Sequence, residues 1–277
     1  MARTVLITGC SSGFGKATAR LFLKEGWNVV ATMRDTSCWS EEENSPNLLV
    51  VHLDVHEVTT IESALDSAVT RFGQVDCLVN NAGHALFSVF ESTPMTTLRT
   101  LFETNVFGAM LTMQVVTPYF RGIGGGRIIN VSSGSAILPE PLMAAYSASK
   151  CAIEGLTESL QYELRSQNIV VKLIEPGFVP ATNLVRKTAE QAAQIPVPMA
   201  YRHLVDRTME LYMQAPKVTL ATEQDVAQAV VEAATDDTEQ LRYVVGEDAK
   251  ESARMRRETS ERIYSSWAKD KFRLEAP

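Results

Sequence analysis

The sequence predicts an α/β fold, a mostly parallel seven-stranded sheet with helices on both faces. Three observations carry this expectation. Short, near-continuous apolar runs recur along the 277 residues and alternate with longer stretches of helical spacing, the pattern of strands buried on both faces. The first run leads directly into a glycine-rich turn, Thr8-Gly9-Cys10-Ser11-Ser12-Gly13-Phe14-Gly15. No composition shift or linker divides the chain, so a single domain over residues 1–277 is expected.

Each element has its own signal. Thr4-Val5-Leu6-Ile7-Thr8 reads as the first strand, followed by a helix from Lys16 to Lys24 with Ala17, Leu21 and Phe22 inward. Asn28 to Thr32 and Leu48 to Leu53 are the second and third strands, rich in β-branched residues. Ile61, Ala64, Leu65 and Ala68 recur at helical spacing and place a helix over Val58 to Arg71. Cys77 to Asn80, Arg127 to Val131, Ile169 to Ile174 and Arg242 to Val245 complete the strands. Two longer helices, Thr97 to Phe120 and Ala145 to Ser166, carry apolar residues on more than one side, which points to a subunit interface and a homodimer or homotetramer. From Phe178 to Leu220 the pattern turns irregular, with Pro180, Pro196, Pro198 and Pro216 as punctuation. A segment of that length reads as a substrate lid. The charged tail from Ala249 to Pro277 reads as a solvated helix, with Trp267 and Phe272 as docking points.

Bulk properties remove several function classes. Hydrophobic residues make up 45% and charged residues 21%, as in a globular protein with a substantial core. The net charge of −7, with no basic stripe, argues against a nucleic-acid surface. The four cysteines show neither a C-x-x-C pair nor metal spacing, so no metal is expected, and they read as reduced thiols in a cytoplasmic protein. No run is long enough for a membrane span, and no secretory signal precedes the first strand.

The glycine turn follows a strand and opens a helix, the context of a dinucleotide site. Gly9 permits the turn, Gly13 lets backbone approach a pyrophosphate and Gly15 allows close packing, while the helix N-terminus offers N–H groups to the anion. The end of the second strand decides the cofactor. An NAD site wants a carboxylate there and a 2′-phosphate wants an arginine. Met33 and Arg34 occupy that position, with Ser11 or Ser12 able to add a hydroxyl, so NADP is expected. Pairing of Arg34 with Asp35 on the surface is the competing reading, and a shifted strand end would put Asp35 on the ribose instead. Asp54 follows the third strand, placed either to accept from the adenine amino group, with Val55 supplying backbone, or to cap the next helix. Asn80-Asn81-Ala82-Gly83 ends the fourth strand, at the sheet edge where ligands lie in such folds. There Ala82 and Gly83 admit a ribose, and Asn80 ties strands together.

Tyr146 and Lys150 are four apart and share one helix face. An ammonium beside a phenol favours the phenolate, and bringing a tyrosine from ~10 to near neutrality requires roughly 4 kcal/mol. The pair therefore reads as a proton-transfer centre.

Together Thr8-Gly9-x-x-x-Gly13-x-Gly15, Asp54, Asn80-Asn81-Ala82-Gly83, Asn105, Ser133, Tyr146-x-x-x-Lys150 and Pro176-Gly177 closely resemble the classical short-chain dehydrogenase/reductase family. The resemblance covers residues 3 to about 177 motif by motif. It implies a Rossmann-type, doubly wound sheet. The stretch Ala31-Thr32-Met33-Arg34-Asp35 looks like the NADP-preferring hydroxysteroid and retinol dehydrogenase branch. The resemblance implies that Tyr146 is the general acid/base, that Lys150 lowers its pKa and holds the nicotinamide ribose, and that Ser133 polarises the substrate oxygen, with Ser132 as the lesser candidate. Asn105 would hold a water relaying protons to Lys150, or else simply satisfy local backbone. Phe14 belongs to the implied cofactor set. Pro176, Gly177 and Val179 would pass the nicotinamide carboxamide. The family's usual threonine position is Ala181 here, with Thr182 one later, so Thr182 is the implied pyrophosphate contact.

The segments Gly83 to Phe90, Ala136 to Met143 and Phe178 to Leu220 should close the substrate pocket. His84, Phe87, Leu138, Met143, Phe178, Met199, Leu204, Met209 and Tyr212 give it an apolar character. The expected function is an NADPH-dependent carbonyl reductase acting on an aromatic ketone, steroid or retinoid-like compound. The alternatives are an NAD-dependent sugar or polyol dehydrogenase and a catalytically silent NADP-binding sensor or scaffold.

Overall fold

A computed structural model describes residues 2–40, 45–180, 188, 190, 192–214 and 220–272. The seven strands are β1 (Thr4–Ile7), β2 (Asn28–Met33), β3 (Leu48–His52), β4 (Cys77–Asn80), β5 (Gly126–Val131), β6 (Ile169–Pro176) and β7 (Arg242–Val245). They form one parallel sheet in the order β3-β2-β1-β4-β5-β6-β7. The order reverses between β1 and β4, so the C-terminal ends of those two strands open a crevice. The expected doubly wound fold is present.

Alternation along β1 divides the core. Val5 and Ile7 point to one face, where Phe22 of α1 (Gly13–Lys24) and Val226 and Val230 of a later helix close over them. Leu6 points to the other face, against Ile61 and Leu65 of α2 (Val58–Phe72) and against Phe120. Each such fully buried side chain contributes ~1.5–3 kcal/mol relative to exposure.

The helix expected from Thr97 to Phe120 runs as α3 (Met95–Phe102), a π-helical turn at Glu103–Phe107 and α4 (Gly108–Gly122). The wide turn surrounds Asn105, and such turns occur often at functional sites. A short α5 (Gly134–Ile137) precedes the long α6 (Ala144–Arg165). In the segment expected to be irregular, α7 (Arg202–Gln214) is a regular helix. Then α8 (Glu223–Thr235) opens on a capping box between Thr222 and Asp225, a T-x-x-D signal overlooked in the sequence.

The solvated tail is corrected. It forms α9 (Glu247–Glu258) and α10 (Glu261–Phe272), which bury Ala249, Ser252, Ala253 and Tyr264. The Tyr264 hydroxyl donates to the Ile137 carbonyl at 3.2 Å, docking the tail on α5. Among the described residues no helix is long and apolar enough to cross a membrane.

Candidate active site

The glycine turn is built by contacts from β4. The Asn81 side-chain amide donates to the carbonyls of Thr8 at 2.8 Å and Gly9 at 3.1 Å. Thr8 Oγ1 in turn accepts from the backbone N–H groups of Asn81 and Ala82, both at 3.0 Å. Gly9 and Gly13 have φ of 75° and 59°, the left-handed region. A Cβ on Gly15 would lie 2.4 Å from the Gly9 carbonyl oxygen and 2.5 Å from Asn81 Nδ2. A Cβ on Gly13, by contrast, would have Glu223 Oε1 at 3.9 Å as its nearest neighbour beyond the helix's own turn among the described residues. The Ser12 side chain makes no capping hydrogen bond to α1, which leaves the first-turn N–H groups without that partner. That arrangement fits a pyrophosphate. The Asn81 side chain thus supports the turn, and Ala82 packs against Gly9.

At the end of β2, Met33 is buried and Arg34 is exposed. The Arg34 carbonyl accepts from His52 Nδ1 at 2.8 Å, and its guanidinium forms no ion pair with any described residue. Asp35 instead accepts from the N–H and hydroxyl of Ser37, at 3.0 and 2.7 Å, and caps the turn at Thr36–Cys38. The surface pairing of Arg34 with Asp35 is therefore not formed. Asp54 accepts from the His56 N–H at 3.0 Å and pairs with the His56 ring at 3.2 Å. It does not cap α2, whose N-cap is Glu57. Val55 is buried against Gly108, where a Cβ would come within 2.6 Å of its Cγ2, so it braces the start of α4.

Tyr146 and Lys150 sit in the first turns of α6, both buried. Lys150 Nζ donates to the Val131 carbonyl at 2.9 Å and lies 5.9 Å from the Tyr146 ring centroid. The two serines have separate tasks. Ser132 donates to Glu154 Oε1 at 2.7 Å within the buried layer. Ser133 caps α5, accepting from Ser135 N–H at 3.2 Å, and its hydroxyl interacts with Tyr146. Ser133 is therefore the serine of the site.

Burial dominates the electrostatics of the pair in the protein alone. Burial pushes the Tyr146 phenol up to about 12, with the Ser133 hydroxyl opposing and the Glu140 charge adding to the rise. Lys150 is not among these causes. It is itself pushed down to about 8 by burial, against the pull of Glu154. In the protein alone, desolvation outweighs the cation one turn away.

Asn105 Oδ1 accepts from the His84 N–H and Nδ2 donates to the His84 carbonyl, both at 2.9 Å, with a further bond to Ser149 Oγ at 3.1 Å. It therefore satisfies local backbone, and it also stands beside the lysine. A Cβ on Gly83 would lie 3.1 Å from Asn105 Oδ1 and 3.7 Å from Lys150 Nζ. Asn80, Asn130, Thr112 and Thr157 form a buried chain of hydrogen bonds tying β4 and β5 to the helices, as expected for Asn80. Burial, then Lys150 and Arg34, lower the pKa of His84, which keeps its ring neutral.

The Gly177-Phe178 turn is set by Asp248, whose Oδ2 accepts from the Phe178 N–H at 2.9 Å. Pro176 ends β6 and Val179 is buried. Thr182 lies outside the described residues, as do 183–187 and 215–219 of the expected lid. Of the expected pocket residues, Phe87, Met143, Phe178 and Tyr212 converge. Met199 is 83% exposed and Met209 is also exposed, so neither belongs to the apolar wall. Glu140 and Glu154 were missed. Only their positions six before Tyr146 and four after Lys150 could have marked them.

A parallel doubly wound sheet with a glycine turn at its switch point, and a half-buried serine beside a buried tyrosine and lysine above it, defines a nucleotide-dependent oxidoreductase. The chain matches the short chain dehydrogenase family over residues 3–193, and it belongs to that family. It is 37% identical over 203 residues to an uncharacterized oxidoreductase of Schizosaccharomyces pombe, covering 73% of this chain and 83% of the relative. It is 34% identical over 242 residues to retinol dehydrogenase 8 of Bos taurus, covering 83% and 77% of the two chains. A short-chain dehydrogenase structure from Streptomyces avermitilis superposes with a TM-score of 0.80 at 29% identity, covering 100% of this chain and 99% of the other. ElxO with NADP bound has a TM-score of 0.71 at 26% identity, covering 88% and 96%. A dehydrogenase from Burkholderia phymatum in complex with NAD has a TM-score of 0.78 at 25% identity, covering 93% of each chain.

Proposed function

We propose that the protein is an NADP(H)-dependent oxidoreductase that interconverts a hydrophobic ketone or aldehyde and its alcohol. The observation that carries this is the convergence of Ser133, Tyr146 and Lys150 at the crevice. Tyr146 is the general acid/base, Ser133 orients the substrate oxygen, and Lys150 holds the ribose and passes protons. When bound, the nicotinamide supplies or accepts the hydride.

The two directions ask opposite protonation states of Tyr146, the phenol donating in reduction and the phenolate accepting in oxidation. At neutral pH Tyr146 is protonated, the form that donates to a carbonyl oxygen. Asn105 and Lys150 flank the backbone at Gly83, a place for the water that reprotonates the tyrosine.

Arg34 supports NADP, because its guanidinium is exposed at the end of β2 and forms no ion pair among the described residues, while Asp35 is turned onto Ser37. Solved relatives with NADP and with NAD both exist, so the cofactor preference rests on this residue. Phe87, Phe178 and Met143 support a hydrophobic substrate. Retinol dehydrogenase 8 among the relatives supports the same class. Phe107 and Tyr162, 47% and 78% exposed on the two long helices, support a homo-oligomer, which light-scattering mass would reveal.

The test compares initial rates with NADPH and NADH across a panel of carbonyl compounds. NADPH should be preferred, and Arg34→Ala should remove the preference. Tyr146→Phe should lower turnover by about 10²–10⁴-fold while leaving NADPH binding within a few-fold. A strong NADH preference would remove the role given to Arg34, and lost cofactor binding in Tyr146→Phe would make that side chain structural.

A further inference from the structure

Glu140 lies in the turn between α5 and α6, and its charge acts on Tyr146. The turn is held in an unusual conformation. Leu142 has a φ of 64°, and its carbonyl accepts from the Ser88 N–H at 2.8 Å. A β-carbon residue in the left-handed region costs about 1–2 kcal/mol, so the surroundings dictate this path and with it the placement of Glu140.

The carboxyl of Glu140 enters an apolar wall. Tyr212 of α7 donates to Glu140 Oε2 at 2.6 Å, and its hydroxyl also lies 3.7 Å from Met143 Sδ. The rings of Phe87 and Phe178 sit 6.0 and 5.7 Å from that of Tyr212. Burial raises the carboxyl's pKa, with the Tyr212 hydrogen bond opposing. Of the other charges that reach Glu140, Asp248 and Lys271 each have a partner elsewhere, although Asp248 Oδ1 is buried and unpaired among the described residues. Asp248 Oδ2 holds the Phe178 N–H at 2.9 Å, and Lys271 pairs with Glu251 at 3.4 Å.

Tyr212 occupies Oε2 alone; Oε1 accepts from no described residue and is not fully buried, so it is open to a ligand at the edge of this wall. An acid placed among aromatic rings is unfavourable unless both oxygens are satisfied. Leucine or phenylalanine would pack this wall better if the substrate were purely apolar. We propose that Glu140 and Tyr212 form a polar subsite for a second hydrogen-bond donor on the substrate, a hydroxyl or an ammonium distant from the reacting carbonyl. The substrate class is then a hydrophobic hydroxyketone or aminoketone. This rests on the carbonyl-reductase reading of Tyr146.

The experiment measures kcat/KM with NADPH for matched ketones that differ only in a distal hydroxyl or amino group. It uses the wild type, Glu140→Leu, Glu140→Gln and Tyr212→Phe. A hydrogen bond to a charged group corresponds to a preference on the order of 10- to 100-fold. The wild type should show that preference for the hydroxyl or the amino compound over the plain ketone. Glu140→Leu should bring the ratio close to one. Should Glu140→Leu fail to fold, Glu140→Gln, of equal size, decides the question by a clear fall in the same ratio. An amino preference that survives in Glu140→Gln counts against the proposal, as does a hydroxyl preference that survives in Glu140→Leu. Equal values for the matched compounds in the wild type would overturn the inference and leave the carbonyl-reductase reading standing. Turnover of none of them, plain ketone included, would strike the reading of Tyr146 instead.

Discussion

Lys150 is buried, with its ammonium on the Val131 carbonyl and Glu154 one helical turn away. Burial lowers its pKa to about 8, and the carboxylate of Glu154 opposes that fall. Glu154 itself is raised to about 7 by burial and by Glu175, against Ser132 and two arginines. The signs give a pH profile. Lys150 is cationic below about 8 and neutral above it, so turnover that needs the ammonium declines on the alkaline side. Glu154→Gln removes the charge that holds the proton on Lys150, and the alkaline limb of kcat should move to lower pH. Measured profiles that coincide for the two proteins would assign Glu154 a purely structural part. Lys150→Met should nearly abolish turnover. The same change relieves the burial of a cation, so its urea midpoint should not fall below that of the wild type.

The elements explain which glycines can be exchanged and which cannot. In α1, Gly15 abuts the Gly9 carbonyl and Asn81 Nδ2, so Gly15→Ala must push the turn off β4. It should destabilise by about 1–3 kcal/mol and weaken NADPH binding at least tenfold. In α6, a Cβ on Gly155 would meet nothing within 4 Å, and Gly155→Ala should stabilise by roughly 0.5–1 kcal/mol. Urea unfolding of both variants, with cofactor titration of the first, checks the pair. The same elements show what was readable in the sequence. Strands were read to within two residues of their ends because apolar runs buried on both faces leave a continuous signal. The Tyr146–Lys150 pair was readable because i,i+4 spacing survives into the helix. The π-helical turn around Asn105 was not, since it is a change of backbone bonding inside an unbroken helical pattern. The tail helices hid because α9 buries Ala249, Ser252 and Ala253, small residues that carry little hydropathy. The burial that raises the Tyr146 phenol was also invisible, because spacing reports proximity and not desolvation.

At the scale of the whole molecule, one buried acid joins the catalytic layer to the tail. Glu175, in β6, has no exposure. Its oxygens take Arg242 Nε of β7 at 3.1 Å and Arg257 of α9 at 2.5 and 3.1 Å. Arg242 also reaches Glu158 and, at 3.7 Å, Glu154, which holds Ser132 beside Ser133 of the candidate site. Residues 82 apart in sequence thus share one charge cluster, and no local pattern announces such a contact. A buried carboxylate stripped of a partner costs about 3–5 kcal/mol. Arg242 remains in Arg257→Ala and Arg257 is partly exposed, so the loss should fall near the low end, roughly 3 kcal/mol. Arg257→Met keeps the aliphatic stem and removes the charge, so a similar loss there assigns the effect to the ion pair and not to packing. Ending the chain after Gly246 removes Arg257 together with the Tyr264 anchor on α5 and the Asp248 clamp on Phe178. The truncated protein should lose more stability than Arg257→Ala and should also lose turnover, because Ser133 caps the α5 turn on which Tyr264 docks. A truncated enzyme with wild-type kcat and an unchanged urea midpoint would show that the tail neither stabilises the sheet nor positions the serine.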